Sequence, residues 1–113
     1  MESVPLEKLT FRAFEALLGE RFTLELEASG KIELTLAEAN SRAVPSEMRK
    51  GNGRQTECFS LIFKGPRDPL LTQRIYHVQQ PRLGEFILFF VPIGMDVDGA
   101  RYEVIFNRLI QPA

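Results

Sequence analysis

A chain of 113 residues with 44% hydrophobic and 26% charged content is large enough for one core and too small for two, and its composition is that of a globular protein. Fourteen basic residues against fifteen acidic leave a net charge of −1, so no global field draws nucleic acid or an anionic membrane, and neither is expected as a partner. The single cysteine, Cys58, has no disulfide partner and no metal-ligand spacing around it, and in its apolar run it is expected as a small buried hydrophobe. No leader opens the chain and no apolar run nears the ~20 residues of a membrane helix, so a cytoplasmic protein is expected.

The first predicted element is a helix over about 7–19. Thr10 is its N-cap, Leu9 and Phe14 are spaced as a hydrophobic staple, and Gly19 suits the position after the last turn. Phe11, Phe14, Leu17 and Leu18 form an apolar stripe that needs a sheet to lie on. The period then changes to two. Phe22 to Glu27 alternates, Ser29-Gly30 supplies a tight turn, and Ile32 to Leu36 alternates again, which predicts a hairpin. From about 40 to 56 the pattern dissolves around Pro45, Gly51 and Gly53, and a flexible surface loop is expected.

Four further strands are predicted: Cys58 to Lys64, Thr72 to Gln80, Leu83 to Val91 and Ala100 to Leu109, separated by Gly65-Pro66, Pro81, Pro92 to Gly94 and Asp98-Gly99. The expected fold is mainly β, a six-stranded antiparallel small barrel or curled sheet over about 21–110 with one N-terminal α-helix, all within a single domain of residues 1–113. The run Phe86-Ile87-Leu88-Phe89-Phe90-Val91 does not alternate, which predicts a central strand covered on both faces, one by the core and the other by the helix or a second protein. Leu24, Leu34, Leu61, Phe63, Leu88, Phe89, Val104 and Phe106 are expected to be buried.

Chemistry-bearing residues are sparse. His77 lies on a half-polar strand without the acid and nucleophile that catalysis requires, so it reads as a surface residue. Met95 to Gly99 holds two carboxylates at a calcium-loop spacing, but the twelfth position counted from Asp96 is Asn107, and turn formation explains the pair better. No catalytic, cofactor-binding or metal-binding residue is assigned, and no cofactor is expected.

The lead is topological. In a meander, successive turns alternate between the two ends of a barrel, which places Gly65, Pro66 and Arg67 beside Pro92, Ile93, Gly94, Met95 and Asp96 on one rim. Proline- and glycine-stiffened loops lose little entropy on binding, so this rim is the candidate partner-binding surface.

The turn and core residues also form an ordered pattern. Phe59-Ser60-Leu61, Phe63 and Gly65-Pro66 are followed by Gln73, Tyr76, Val78, Pro81 and Leu83-Gly84. Then come Leu88-Phe89, Val91-Pro92-Ile93-Gly94, Asp96, Asp98-Gly99, Arg101-Tyr102-Glu103 and Phe106-Asn107. In this order and spacing the chain resembles a family of small bacterial proteins grouped as a domain of unknown function, over most of its length. The resemblance implies a non-enzymatic accessory protein, associated with phage-tail-like collar proteins, and supplies no catalytic residue, cofactor or ligand.

Together these features favour a binding or assembly module that docks onto a protein partner or a second copy of itself, in a phage-tail-like particle. The alternative is a carrier holding a small apolar ligand inside an aromatic-rich barrel, and an enzyme is the least favoured class.

Overall fold

A computed structural model of the protein describes residues 9–26, 30–41 and 55–110, with the side chains of 55–57 and 107–110 excepted. In chain order the elements are helix α1 (Phe11–Glu15) and strands β1 (Arg21–Leu26), β2 (Gly30–Ser41), β3 (Gln55–Gly65), β4 (Arg74–Gln80), β5 (Gly84–Asp96) and β6 (Gly99–Ile110). The six strands close into an antiparallel barrel in the order β1-β2-β3-β6-β5-β4. This is the expected fold class, with the barrel alternative selected over the curled sheet.

The order is not a plain meander. After β3 the chain crosses the upper end of the barrel, over β6 and β5, and enters β4 beside β1. The closing seam between β1 and β4 is short, with Thr23 opposite Gln79 and Leu24 opposite Val78. The Gln80 side chain extends it, donating from Nε2 to the Arg21 carbonyl at 3.3 Å and accepting the Arg82 amide on Oε1 at 2.6 Å. That is why a glutamine can sit buried at this end of the core: both ends of its amide are satisfied.

Each end of the barrel is stoppered by its own chain. At the lower end Thr10 caps α1, its Oγ1 accepting the Ala13 amide at 3.1 Å, and the helix presents Phe14 to the core. The Phe14 ring lies 5.4 Å from that of Phe106, 6.1 Å from those of Phe59 and Phe86, and 6.2 Å from that of Phe22. Four different strands thus meet on one fully buried phenylalanine. At the upper end the crossover buries Leu71, whose amide donates to the Tyr102 hydroxyl at 2.9 Å, while the carbonyl of exposed Thr72 accepts the Tyr76 hydroxyl at 2.9 Å. The inward residues between the two stoppers, among them Phe22, Leu34, Leu61, Phe63, Phe90 and Tyr102, are fully buried and pack as one cluster.

Several expectations are corrected. The helix spans only Phe11–Glu15; residues 7–8 lie outside the described residues, and after Glu15 the chain turns. The Gly19 amide bonds the Leu36 carbonyl at 2.8 Å and the Leu36 amide bonds the Glu20 carbonyl at 3.1 Å, so ladder pairing takes over where the helix was expected to continue. Gly19 does adopt the positive φ expected there, at 86°. Leu18, expected to belong to the buried stripe, is exposed because the helix ends before it. The loop expected over 40–56 is shorter at both ends, since β2 runs to Ser41 and β3 begins at Gln55; residues 42–54 lie outside the described residues, as does Ser29 of the first turn. Cys58 is half-buried, not buried.

The largest correction concerns the apolar run of β5. Phe86, Leu88 and Phe90 are buried, while Ile87 and Phe89 are 53% and 47% exposed. A pleated strand sends successive side chains to opposite faces whatever their chemistry. The helix, which was to cover the second face, is instead used to stopper the lower end. Phe89 therefore leaves the expected core; the other seven expected core residues are buried. β5 also passes through Pro92 and continues to Asp96, and the register shifts between Pro92 and Gly94 as a bulge at Ile93. A bulge tolerates the missing proline donor, so Pro92 bends the strand without ending it.

Candidate protein-binding surface

The rim expected from the sequence is assembled in part. Gly65, the last residue of β3, pairs with Ala100, and Ala100 pairs in turn with Met95. The turn at Val97-Asp98 and the start of the crossover at Pro66 and Arg67 are thereby neighbours at the upper end. The approach is close enough to demand glycine at position 99, where the obstacle is backbone, while at Gly65 it is the tip of a side chain. A Cβ on Gly99 would collide with the Gly65 carbonyl, and one on Gly65 would collide with the Leu34 side chain. Lys64 Nζ and Asp98 Oδ2, 3.8 Å apart, add an exposed ion pair across the same junction.

Asp96 is a structural member of this turn. Its Oδ1 accepts the Asp98 amide at 2.9 Å and its Oδ2 accepts Arg101 Nε at 3.0 Å. The amide bond chiefly, with Arg101 adding to it against partial desolvation, holds the carboxyl below its ordinary value of 3.8. Both carboxylate oxygens are committed within the hairpin, as a turn former requires.

Pro92, Ile93 and Gly94 stand apart from the turn. They lie within β5, and β6 separates this strand from Gly65 and Pro66. Ile93 and Met95 are exposed as expected, but they cannot form a continuous apolar contact with Pro66 because a whole strand intervenes. The residues that do come together lie on the outer wall. Ile75 of β4 is directly opposite Phe89 of β5, and Ile87 follows two residues away on the same face. On β6, whose ladder with β5 ends at Val91 opposite Glu103, Ile105 follows Glu103 by two residues and is likewise exposed on the outer face. Ile75, Ile87, Phe89 and Ile105 are each about half exposed, between 47% and 55%, and half-buried Val91 extends the strip upward. Large apolar side chains gathered on one exposed face are a common feature of interaction sites, whereas apolar residues scattered singly are not. The signal was present in the sequence: a strand with no polar alternation has twice the apolar residues that one core face needs.

Elsewhere the chemistry is bland. His77 is exposed on β4 opposite Ile87, a surface position as expected. An open depression of about 370 Å³ lies outside the lower β1–β4 seam, and its wall is mixed, with Glu20, Arg21, Thr23, Glu33 and Gln80 beside Gly19 and Pro81. Arg21 and Glu33 face each other there at 3.7 Å, both well exposed. Among the described residues no helix is long and apolar enough to cross a membrane.

A closed six-stranded antiparallel barrel, stoppered at both ends by its own chain and apolar along one outer wall, defines the class. The chain belongs to the family described as a domain of unknown function (DUF6916), whose family model matches residues 9–106. That span contains both stoppers, all the buried core and the apolar wall. Neither a curated protein nor a solved structure matches the chain.

Proposed function

We propose that the protein is a non-enzymatic binding and assembly module, and that its outer β4–β5–β6 wall is the surface that engages a protein partner. One observation carries the reading: Ile75, Ile87, Phe89 and Ile105 place four large apolar side chains together in water, on a domain that has already filled its core. Side chains of this kind at the centre of a patch, with charge kept to the margin, suit a protein interface. A net charge of −1 and an uncharged strip favour a protein over nucleic acid. The carrier alternative is less favoured because side chains occupy the interior where a ligand would sit. The setting we propose is a phage-tail-like particle, on the motif resemblance set out above.

Capture from host extract with the wild-type chain and with Phe89→Asp as paired baits tests this. The expected result is a defined partner retained by the first and lost by the second, with both baits melting at similar temperatures. Identical captured sets would overturn the reading.

A further inference from the structure

We propose that the apolar wall receives a second copy of this chain, the two barrels packing wall to wall about a two-fold axis that passes through Phe89. The proposal rests on the binding-module reading and names the partner of that same surface.

A symmetric dimer uses one patch twice, so the patch has to complement itself after a half-turn. On β5, Val91 and Ile87 lie on the outer face two residues to either side of Phe89. On β4, Ile75 is opposite Phe89 and His77 is opposite Ile87. On β6, Glu103 is opposite Val91, and exposed Ile105 follows it by two residues. A half-turn about Phe89 reverses β5 upon itself and exchanges the β4 side with the β6 side. Ile87 of one copy then faces Val91 of the other, Ile75 faces Ile105, and Phe89 meets its own equivalent. Each apolar side chain of the strip meets another. Face-to-face sheets cross at only about 30°, which keeps residues one step from the axis within reach of each other.

The charges obey the same operation. His77 and Glu103 stand at diagonally opposite corners of the strip, one step below Phe89 on the β4 side and one step above it on the β6 side. Neither makes an ion pair or a side-chain hydrogen bond among the described residues. The half-turn lays His77 of each copy on Glu103 of the other, twice per dimer. An imidazole has an N–H to donate to a carboxylate in either protonation state, so the contact does not require a charged histidine.

This diagonal decides between a second copy and other apolar occupants. Glu103 is half-buried between Ile62 of β3 and Val91 of β5, where an apolar surface laid over it would strip its water and offer nothing in return. An anionic lipid surface would in addition repel it. The wall itself supplies the missing donor at the place the half-turn requires. The strip is small, with four side chains about half exposed, so the dimer belongs with the weak, reversible interfaces.

Sedimentation velocity of the full chain, in a concentration series from micromolar to millimolar, should show a reversible monomer–dimer equilibrium. Phe89→Asp, which sets two carboxylates against each other on the axis, should stay folded and monomeric throughout. His77→Glu and Glu103→Lys should each weaken the dimer several-fold at low salt, since the axis makes every lost contact count twice. Combined in one chain they should restore it, because the half-turn then sets the new acid on the new base. A wild-type chain that stays monomeric, a dimer indifferent to Phe89→Asp, or a double variant no tighter than the single ones would each overturn the proposal. In those cases a different protein captured from host extract by wild type and lost with Phe89→Asp would leave the binding-module reading standing, so the two failures are distinguishable.

Discussion

The Leu71 amide donates to the Tyr102 hydroxyl at 2.9 Å across 31 positions of sequence, fastening the crossover to the middle of the barrel. Tyr102 is fully buried, and its phenol is the acceptor that keeps a buried backbone donor from being orphaned. Tyr102→Phe should therefore cost about 1–3 kcal/mol in urea unfolding, the cost of leaving a buried donor unmade. Burial holds the phenol above its ordinary value of 10.0, while the Leu71 bond pulls the other way. The folded state thus keeps its proton more tightly than the unfolded chain does. This contribution is complete below pH 10 and is lost as pH rises through the folded value, so wild type should lose stability above pH 10 more steeply than Tyr102→Phe.

Gly99 has φ at 140° and its α-carbon faces the Gly65 carbonyl. Gly99→Ala adds a methyl where backbone already stands and a conformation that L side chains rarely adopt. The expected loss is about 1–3 kcal/mol or more, read as a lower melting temperature. Gly94, within the bulge of β5, has open space at its Cβ, and Gly94→Ala is the control expected to change little.

Phe14→Ala removes the ring on which β1, β3, β5 and β6 converge, and should cost about 3–5 kcal/mol. In a domain whose whole stability is of order 5–15 kcal/mol, that is enough to move the urea midpoint far or to unfold the chain. Leu18→Ala, one turn later and exposed, should stay within about 0.5 kcal/mol.

On β5 the two faces should respond oppositely. Leu88→Ala, on the buried face, should cost about 2–5 kcal/mol. Phe89→Asp and Ile93→Asp place a carboxylate in water, so both proteins should fold with melting temperatures near wild type. Partner capture separates them: Phe89→Asp should abolish it, whereas Ile93→Asp, on the bulge above the strip, should reduce it less. An unfolded Phe89→Asp protein would place that ring in the core and remove the apolar wall from the argument.

Much of the architecture is written locally. Thr10, the Leu9–Phe14 staple and Gly19 mark the helical turn because capping is decided by neighbours in sequence. The alternation at Phe22-Leu24 and Ile32-Leu34-Leu36 marks the first hairpin because the pleat has a period of two. Asp98-Gly99 marks the last turn for the same kind of reason, since a positive φ is a property of one residue.

What the chain could not declare by itself is which partner each element meets. Strand order decided that β6 lies between β3 and β5, and so separated Ile93 from Pro66 although both flank turns at one end. With α1 used as a stopper, no described element covers the outer face of β5. Phe89 and Phe90 are adjacent and chemically identical, and one is half in water while the other is at 0% exposure. Local propensity assigned both to a strand. Only closure of the barrel, which gives every strand one inside and one outside, decided which of the two the core would keep.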